Sequence, residues 1–299
     1  MNLKIGDTVG LMAPASAIAL EAVLPAVRLL KSWGFGVELG KTIDKRLNNF
    51  SGTDDFRLSD LQSMLDNPAI EAIVFARGGY GCIRIIDRID FTKFIKTPKW
   101  LVGFSDITVL HNHINQRFGI ETIHATMPIN FPVDGLDNAS TLSLKNALTG
   151  NNLAYELTNK HPLNRCGVAT GQVVGGNLSL IYALMGSQSE LKTRGKILFI
   201  EDIGEPLYHL DRMMWQLRRA NKLRYLAGLV VGHFSEMQDT KIGFGQDAAE
   251  IIAQAVETYK FPVLFDFPAG HHADNRALIF GRDAWLSVQK TEQRLVFEI

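Results

Sequence analysis

The chain has 299 residues with 31 basic and 31 acidic side chains, a formal charge of zero. That balance excludes a protein whose main work is wrapping nucleic acid, which needs a basic footprint. At about 150 residues per domain, the length predicts two domains. The N-terminus has no basic segment leading into an apolar run, and no stretch approaches the ~20 apolar residues of a membrane helix. The sequence therefore predicts a cytoplasmic protein with no membrane and no nucleic-acid partner. Cys82 and Cys166 form neither a disulfide framework nor a zinc or redox spacing, and both read as buried small hydrophobes.

Short apolar strands alternate with amphipathic helical stretches, the pattern of βα units and a largely parallel sheet. Thr8–Met12 reads as a strand, followed by a helix over Leu20–Trp33 that stops at Gly34 and contains Pro25. Gly36–Leu39 is a short strand. Thr53 reads as the N-cap of a helix through Leu65, with acids in its first turn to suit the dipole. Strands follow at Ala72–Ala76 and Lys99–Phe104, the second running straight into a helix over Asp106–Phe118. Pro, Gly and Asn breaks between Pro132 and Pro162 mark the junction. They divide the chain into an N-terminal domain (1–135), a linker (136–165) and a C-terminal domain (166–299). In the second half, strands are expected at Gln172–Val174, Lys196–Ile200, Ala227–Val231 and Val263–Phe267. Helices are expected at Leu178–Met185, Leu207–Ala220 and Asp247–Tyr259, and Ala284–Val288 and Leu295–Ile299 look like antiparallel strands. The charged Arg212–Arg224 stretch reads as a solvated helix face.

Three motifs invite a chemical reading, and one of them fails. Arg77-Gly78-Gly79-Tyr80-Gly81 follows a buried strand, where glycines let backbone N–H groups approach an anion. It is not a dinucleotide fingerprint, because Arg84 stands where the third glycine belongs. The same turn suits an oxyanion hole or no ligand at all. Gly40-Lys41-Thr42 is no phosphate loop, since Phe35 occupies the required glycine position. Gly103-Phe104-Ser105-Asp106-Ile107-Thr108 has the strand-to-helix layout of a nucleophile elbow, though the residues alone leave open a simple N-cap. A serine nucleophile needs a base. His271 follows a strand and a Pro/Gly loop, where α/β proteins bind ligands, whereas the other histidines lack metal spacing. His271 and His272 with Asp274 form a poorer metal cluster. Glu201, Asp202 and Glu205 compete as the acid that would orient the base.

Six segments together resemble the LD-carboxypeptidase family of serine peptidases. They are Ser51-Gly52-Thr53-Asp54-Asp55, Ala76–Gly81, Gly103–Thr108, Gly175-Gly176-Asn177-Leu178-Ser179, Glu201-Asp202 and Gly270-His271. They occur in family order and span nearly the whole chain. The resemblance implies a Ser105–Glu201–His271 triad and an oxyanion hole from the backbone N–H groups of Gly79 and Asp106. It implies an α/β fold, with an N-terminal Rossmann-like parallel-sheet domain and a C-terminal β-rich α/β domain, usually as a homodimer. It also implies release of terminal D-alanine from a small murein peptide, without metal or cofactor. Arg77, with Tyr80 beside it, is the candidate for the substrate's terminal carboxylate. The alternatives are a microcin C-type immunity peptidase that cleaves a peptide-nucleotide amide, and a non-catalytic α/β anion-binding module. Ala125 and Ile279 depart from the glycine and proline that the family often carries there, which bears on substrate contacts.

Overall fold

The computed structural model describes residues 1–158 and 160–298. Its first half is a parallel sheet of β1 (Thr8–Met12), β2 (Gly36–Leu39), β3 (Ile70–Phe75), β4 (Trp100–Gly103) and β5 (Thr122–His124). The connecting helices are α1 (Leu20–Ser32), α2 (Asp54–Asp66), α3 (Thr92–Lys96) and α4 (Thr108–Phe118). β4 is buried along its whole length, as a strand covered on both faces must be. Pro25 is accommodated inside α1, and the chain turns at Gly34 as expected. Thr53 caps α2, its side chain accepting from the Phe56 N–H at 3.2 Å, ahead of Asp54 and Asp55.

The 136–165 stretch, read as a linker, is built into the fold. It contains α5 (Ala139–Thr149) and β6 (Ala154–Leu157), and Leu144, Leu148 and Tyr155 are buried in the core. The Gly and Asn breaks that suggested a boundary are helix ends: Asn138 caps α5 in a capping box and Gly150 terminates it in a left-handed conformation.

The second sheet contains β7 (Gly167–Asn177), β8 (Ile197–Ile203), β9 (Gly228–Ser235) and β10 (Val263–Leu264), mutually parallel. Helices α6 (Leu178–Ala183), α7 (Leu207–Arg219) and α8 (Ala248–Ala255) connect them. Three further strands follow: β11 (Leu278–Phe280), β12 (Asp283–Val288) and β13 (Gln293–Phe297). β12 and β13 form the expected antiparallel pair and extend the sheet from β7 to β6 at the far edge. The expected strand 295–299 starts two residues earlier, and its last residue, Ile299, lies outside the described residues. Arg212 and Arg219 lie exposed on α7, as a solvated face requires.

β11 leaves the second half of the chain and pairs antiparallel with β5 at the edge of the first sheet. One hydrophobic core therefore runs through both halves, from Val9, Val102 and Ile123 to Phe199, Val230 and Leu286. Ala125 and Ile279, the two family departures, are both buried in this core and act in packing. Cys82 is buried as expected, but Cys166 is exposed: it sits just ahead of β7, outside the ladder.

The halves also meet where β7 ends on α4. Thr108 Oγ1 accepts from the Asn177 N–H at 3.0 Å, and Gly176 has φ +125° with room for no side chain: a methyl there would lie 2.5 Å from Thr108 Oγ1. Gly176→Ala is expected to destabilise the protein by about 1–3 kcal/mol through backbone strain and that clash. Urea unfolding measures this, and an unchanged midpoint would mean that the joint has slack.

Candidate active site

The first sheet has the strand order β2-β1-β3-β4-β5, so the chain reverses direction between β1 and β3. In open α/β sheets the crevice at such a switch point, beyond the carboxyl ends of the strands, is where ligands bind. Here it is formed by the turns after β1 and β3. The Ser16 N–H donates to the Gly78 carbonyl at 3.1 Å and the Ser51 hydroxyl to Ala13 at 2.6 Å. The fully buried Arg57 guanidinium donates to the carbonyls of Pro14 and Gly81 and pairs with Asp54. The Ser51–Asp55 motif is thus a brace for the glycine turn: Ser51 holds one loop, Thr53 starts α2, and Asp54 anchors Arg57 and Arg84.

Ser105 leaves the carboxyl end of β4 with φ 61°, one of few non-glycine residues in the left-handed region. That conformation costs about 1–2 kcal/mol and raises the side chain out of the turn. Ser105 is only half-buried between buried neighbours. The tight backbone makes Ser105–Ile107 a 3₁₀ turn, so the α-helix expected from Asp106 begins at Thr108. The N-cap alternative fails, because no side chain caps either helical turn and Asp106 instead accepts from the Cys82 N–H at 2.8 Å. Burial raises the Asp106 carboxyl above its usual range. Gly78 lies directly against the serine: a methyl there would sit 3.0 Å from Ser105 Cβ and 3.2 Å from the Asp106 nitrogen. The glycine turn and the amide of Asp106 therefore border one small space beside the serine hydroxyl.

Glu201 stands on β8 and is completely buried. Its Oε2 accepts from His271, at 2.7 Å from Nδ1 and 3.2 Å from the backbone N–H. A buried carboxylate without a partner is strongly disfavoured, and removing one member of such a pair typically costs about 3–5 kcal/mol. Gly270 makes the approach possible: φ is +110°, and a methyl would lie 2.8 Å from Glu201 Oε2. Burial of His271 lowers its pKa, but the hydrogen bond and charge of Glu201 outweigh burial and leave it above the usual histidine value. The Phe104 ring packs on the His271 imidazole at 4.8 Å between centroids, bringing the histidine beside the serine elbow.

The competing acids are occupied elsewhere. Asp202 accepts from Asn177 Nδ2 and the Ser179 N–H, both at 2.8 Å, and holds the start of α6. Burial and the neighbouring Glu201 carboxylate push it up to about 7. Glu205 pairs with His209 one turn on. His111 donates through Nε2 to the Gly103 carbonyl at 2.8 Å, His113 meets Ser189, and the His272 ring stacks on His233. Among the described residues no group of three or more ligand side chains could hold a metal. Arg77 donates through Nη1 to the Ala17 carbonyl at 2.9 Å, and Tyr80 is exposed beside it with its ring against Phe50. Sequence reasoning missed three supports of His271: the Phe104 ring, Ser235, whose hydroxyl donates to the His271 carbonyl at 2.6 Å, and Asn275, whose Oδ1 accepts from the Gly270 N–H at 2.9 Å. No local spacing signals Phe104 or Ser235, which lie far from His271 in the sequence, and Asn275, four residues after it, reads as an ordinary polar loop residue.

Residues 9–125 match the model of the LD-carboxypeptidase N-terminal domain and residues 170–286 that of its C-terminal domain, so the chain belongs to the LD-carboxypeptidase family. It is a peptidase, and the non-catalytic binding module is set aside. It is 35% identical over 301 residues to a probable murein peptide carboxypeptidase of Bacillus subtilis, covering 99% of this chain and 93% of the relative. It is 32% identical over 292 residues to the murein tetrapeptide carboxypeptidase of Pseudomonas aeruginosa, covering 94% of each. The crystal structure of muramoyltetrapeptide carboxypeptidase from Oxalobacter formigenes matches with a TM-score of 0.88 at 27% identity, covering 98% of this chain and 99% of that one. The microcin C7 self-immunity protein MccF of Escherichia coli is 25% identical over 301 residues, 90% of this chain and 87% of that protein.

A histidine base must be neutral to take a proton, so activity falls as pH drops through its pKa. With His271 raised by Glu201, the acid limb of kcat/KM is expected above the ordinary value of about 6.5. In Glu201→Gln burial acts without the opposing charge, and the limb should move below it. A pH–rate profile that is the same in both proteins would separate Glu201 from the base.

Proposed function

We propose that this chain is a serine LD-carboxypeptidase that releases terminal D-alanine from murein tetrapeptides. The observation that carries the reading is the buried Glu201–His271 hydrogen bond of 2.7 Å, delivered by Phe104 to the strained turn of Ser105. The murein tetrapeptide carboxypeptidase among its relatives supports the substrate class. In this reading Ser105 Oγ attacks the scissile carbonyl while His271 takes its proton. The backbone N–H groups of Gly79 and Asp106 stabilise the oxyanion of the tetrahedral intermediate. The intermediate collapses by breaking the amide bond, and His271 returns the proton to the departing D-alanine amine. Water, deprotonated by His271, then attacks the acyl carbonyl; the ester bond to Ser105 Oγ breaks and His271 returns the proton to the serine. Glu201 holds the imidazole tautomer throughout and stabilises the transient imidazolium.

A triad is indifferent to chain length, so removal of one terminal residue requires a group that reads the free carboxylate. Arg77 fills that role here: one of its five donors is spent on Ala17, which fixes the side chain and leaves the others for a bidentate contact. Tyr80 borders the same turn. Such an enzyme works in the cytoplasm on imported murein fragments, as a homodimer and without metal or cofactor.

Ser105→Ala should abolish D-alanine release, leaving only the ~10³–10⁴ over water that binding and an oxyanion hole retain. Mass spectrometry of the tetrapeptide before and after incubation reads the outcome, and near-normal turnover in the folded variant would remove Ser105 as nucleophile. EDTA should leave the rate unchanged; activity lost to EDTA and restored by zinc would favour a metal at His271 and His272. The wild type should ignore tetrapeptides that end in L-alanine or in a carboxamide, because misplacing the reacting carbonyl by about 1 Å costs roughly a hundredfold. Cleavage of an aspartyl-nucleotide amide with no action on the tetrapeptide would instead make it an immunity peptidase of the MccF kind.

A further inference from the structure

An oxyanion hole works only when its donors stand about 2.7–3.1 Å from one oxygen, so their relative placement must be closely fixed. In the proposed reacting set the two donors belong to separate loops. The Gly79 amide lies in the turn after β3 and the Asp106 amide in the elbow after β4, on neighbouring parallel strands. Glycine gives the turn its shape but also its freedom, with φ of +96° at Gly79 and +151° at Gly81. Groups outside the turn must therefore hold it.

Two peptide groups of the turn are pinned. The Gly78 carbonyl accepts from the Ser16 N–H at 3.1 Å, which ties the front of the turn to the loop after β1. At the back, the peptide group joining Gly81 to Cys82 is held on both edges. Its carbonyl accepts from Arg57 Nη1 at 3.1 Å, and its N–H donates to Asp106 Oδ2 at 2.8 Å. Arg57 belongs to α2 and Asp106 to the serine elbow, so this peptide plane is clamped between them. Gly79 lies between the two pinned groups. Asp106 is buried, and its second oxygen, Oδ1, meets no partner. Burying a carboxylate in this way is costly, and what its Oδ2 achieves there is to bind the turn.

We propose that the Asp106 side chain is a positioning group that straps the glycine turn to the serine elbow. The residue that supplies one oxyanion donor thereby sets the place of the other. The proposal rests on the reading of Ser105 as nucleophile and of the Gly79 and Asp106 amides as donors. The test therefore starts with a reaction that needs those groups but not the peptide. With a fluorophosphonate, Ser105 Oγ attacks phosphorus and fluoride leaves, the serine proton passing to His271. The phosphonyl oxygen takes the place of the oxyanion, and mass spectrometry locates the labelled residue.

If the wild type is not labelled at Ser105, that reading fails and the proposal falls with it. With labelling established, Asp106→Ala should slow it, and lower kcat on the tetrapeptide, about hundredfold, the cost of a misplacement of about 1 Å. KM should stay within about threefold, because the oxyanion contact strengthens only in the transition state. Asp106→Asn keeps an acceptor at the same reach and should recover at least about tenfold of the loss. Asp106→Glu keeps the charge but is one methylene too long, and should lose nearly as much as alanine does. A purely structural strap would lower the melting temperature and leave the labelling rate of the folded protein alone. Full-rate labelling of folded Asp106→Ala would therefore overturn the proposal, as would an asparagine variant no faster than alanine. Should the alanine variant not fold, the other two decide: the proposal fails if Asp106→Glu labels as fast as Asp106→Asn.

Discussion

A carboxylate with no access to water must be met by a donor, and in this fold that donor is His271. Glu201 sits on a central strand with both sheet faces covered, so its charge constrains everything near it. The loop beyond β10 must come close enough to deliver an imidazole and an amide to one oxygen, which only glycine at position 270 allows. Asn275 and Ser235 then fasten that loop from the two sides, through the Gly270 amide and the His271 carbonyl. The result is an imidazole that burial alone would render weakly basic, held above its usual pKa by the buried anion.

The serine is set by a different sheet, so the site depends on how the two sheets are joined. β11 crosses back to pair with β5, one core runs through both halves, and Gly176 lets the end of β7 meet α4 at Thr108. These contacts remove the freedom that a two-domain chain would otherwise have at its interface. The strain at Ser105 is held by the same packing, with Gly78 on one side and Phe104 wedged against His271 on the other. Arg57 does comparable work for the glycine turn from within the first sheet, which explains why a motif as far from the serine as Ser51–Asp55 belongs to the same pattern.

Much of this was legible in residue order. The bounds of β1 and β2 follow from apolar patterning and the glycine after α1, and Thr53 announces its cap by the acids behind it. Where expectation and structure part, the cause is local backbone geometry that residue type alone does not announce. Proline and glycine breaks around 132–162 read as a linker because helix termini and domain boundaries use the same residues. Cys166 is exposed because it stands in phase with Val168 and Thr170, the outward-facing residues at the start of β7. The α-helix after Ser105 starts late because a left-handed serine cannot begin one.

By itself the sequence determined the α/β alternation, the elbow at Ser105, the glycine turn at Gly78–Gly79 and the family to which these belong. Residue type and spacing left Glu201, Asp202 and Glu205 competing, since three acids within five residues differ only in where their side chains point, and only the family resemblance singled out Glu201. Tertiary structure decided among them. Pleating sends Glu201 and Asp202 to opposite faces of β8, one toward His271 and the other toward Asn177 and α6, while Glu205 lies beyond the strand with His209. It also decided that Phe104 and Ser235 support His271, because a ring contact or hydrogen bond between residues dozens to more than a hundred positions apart leaves no local pattern to read.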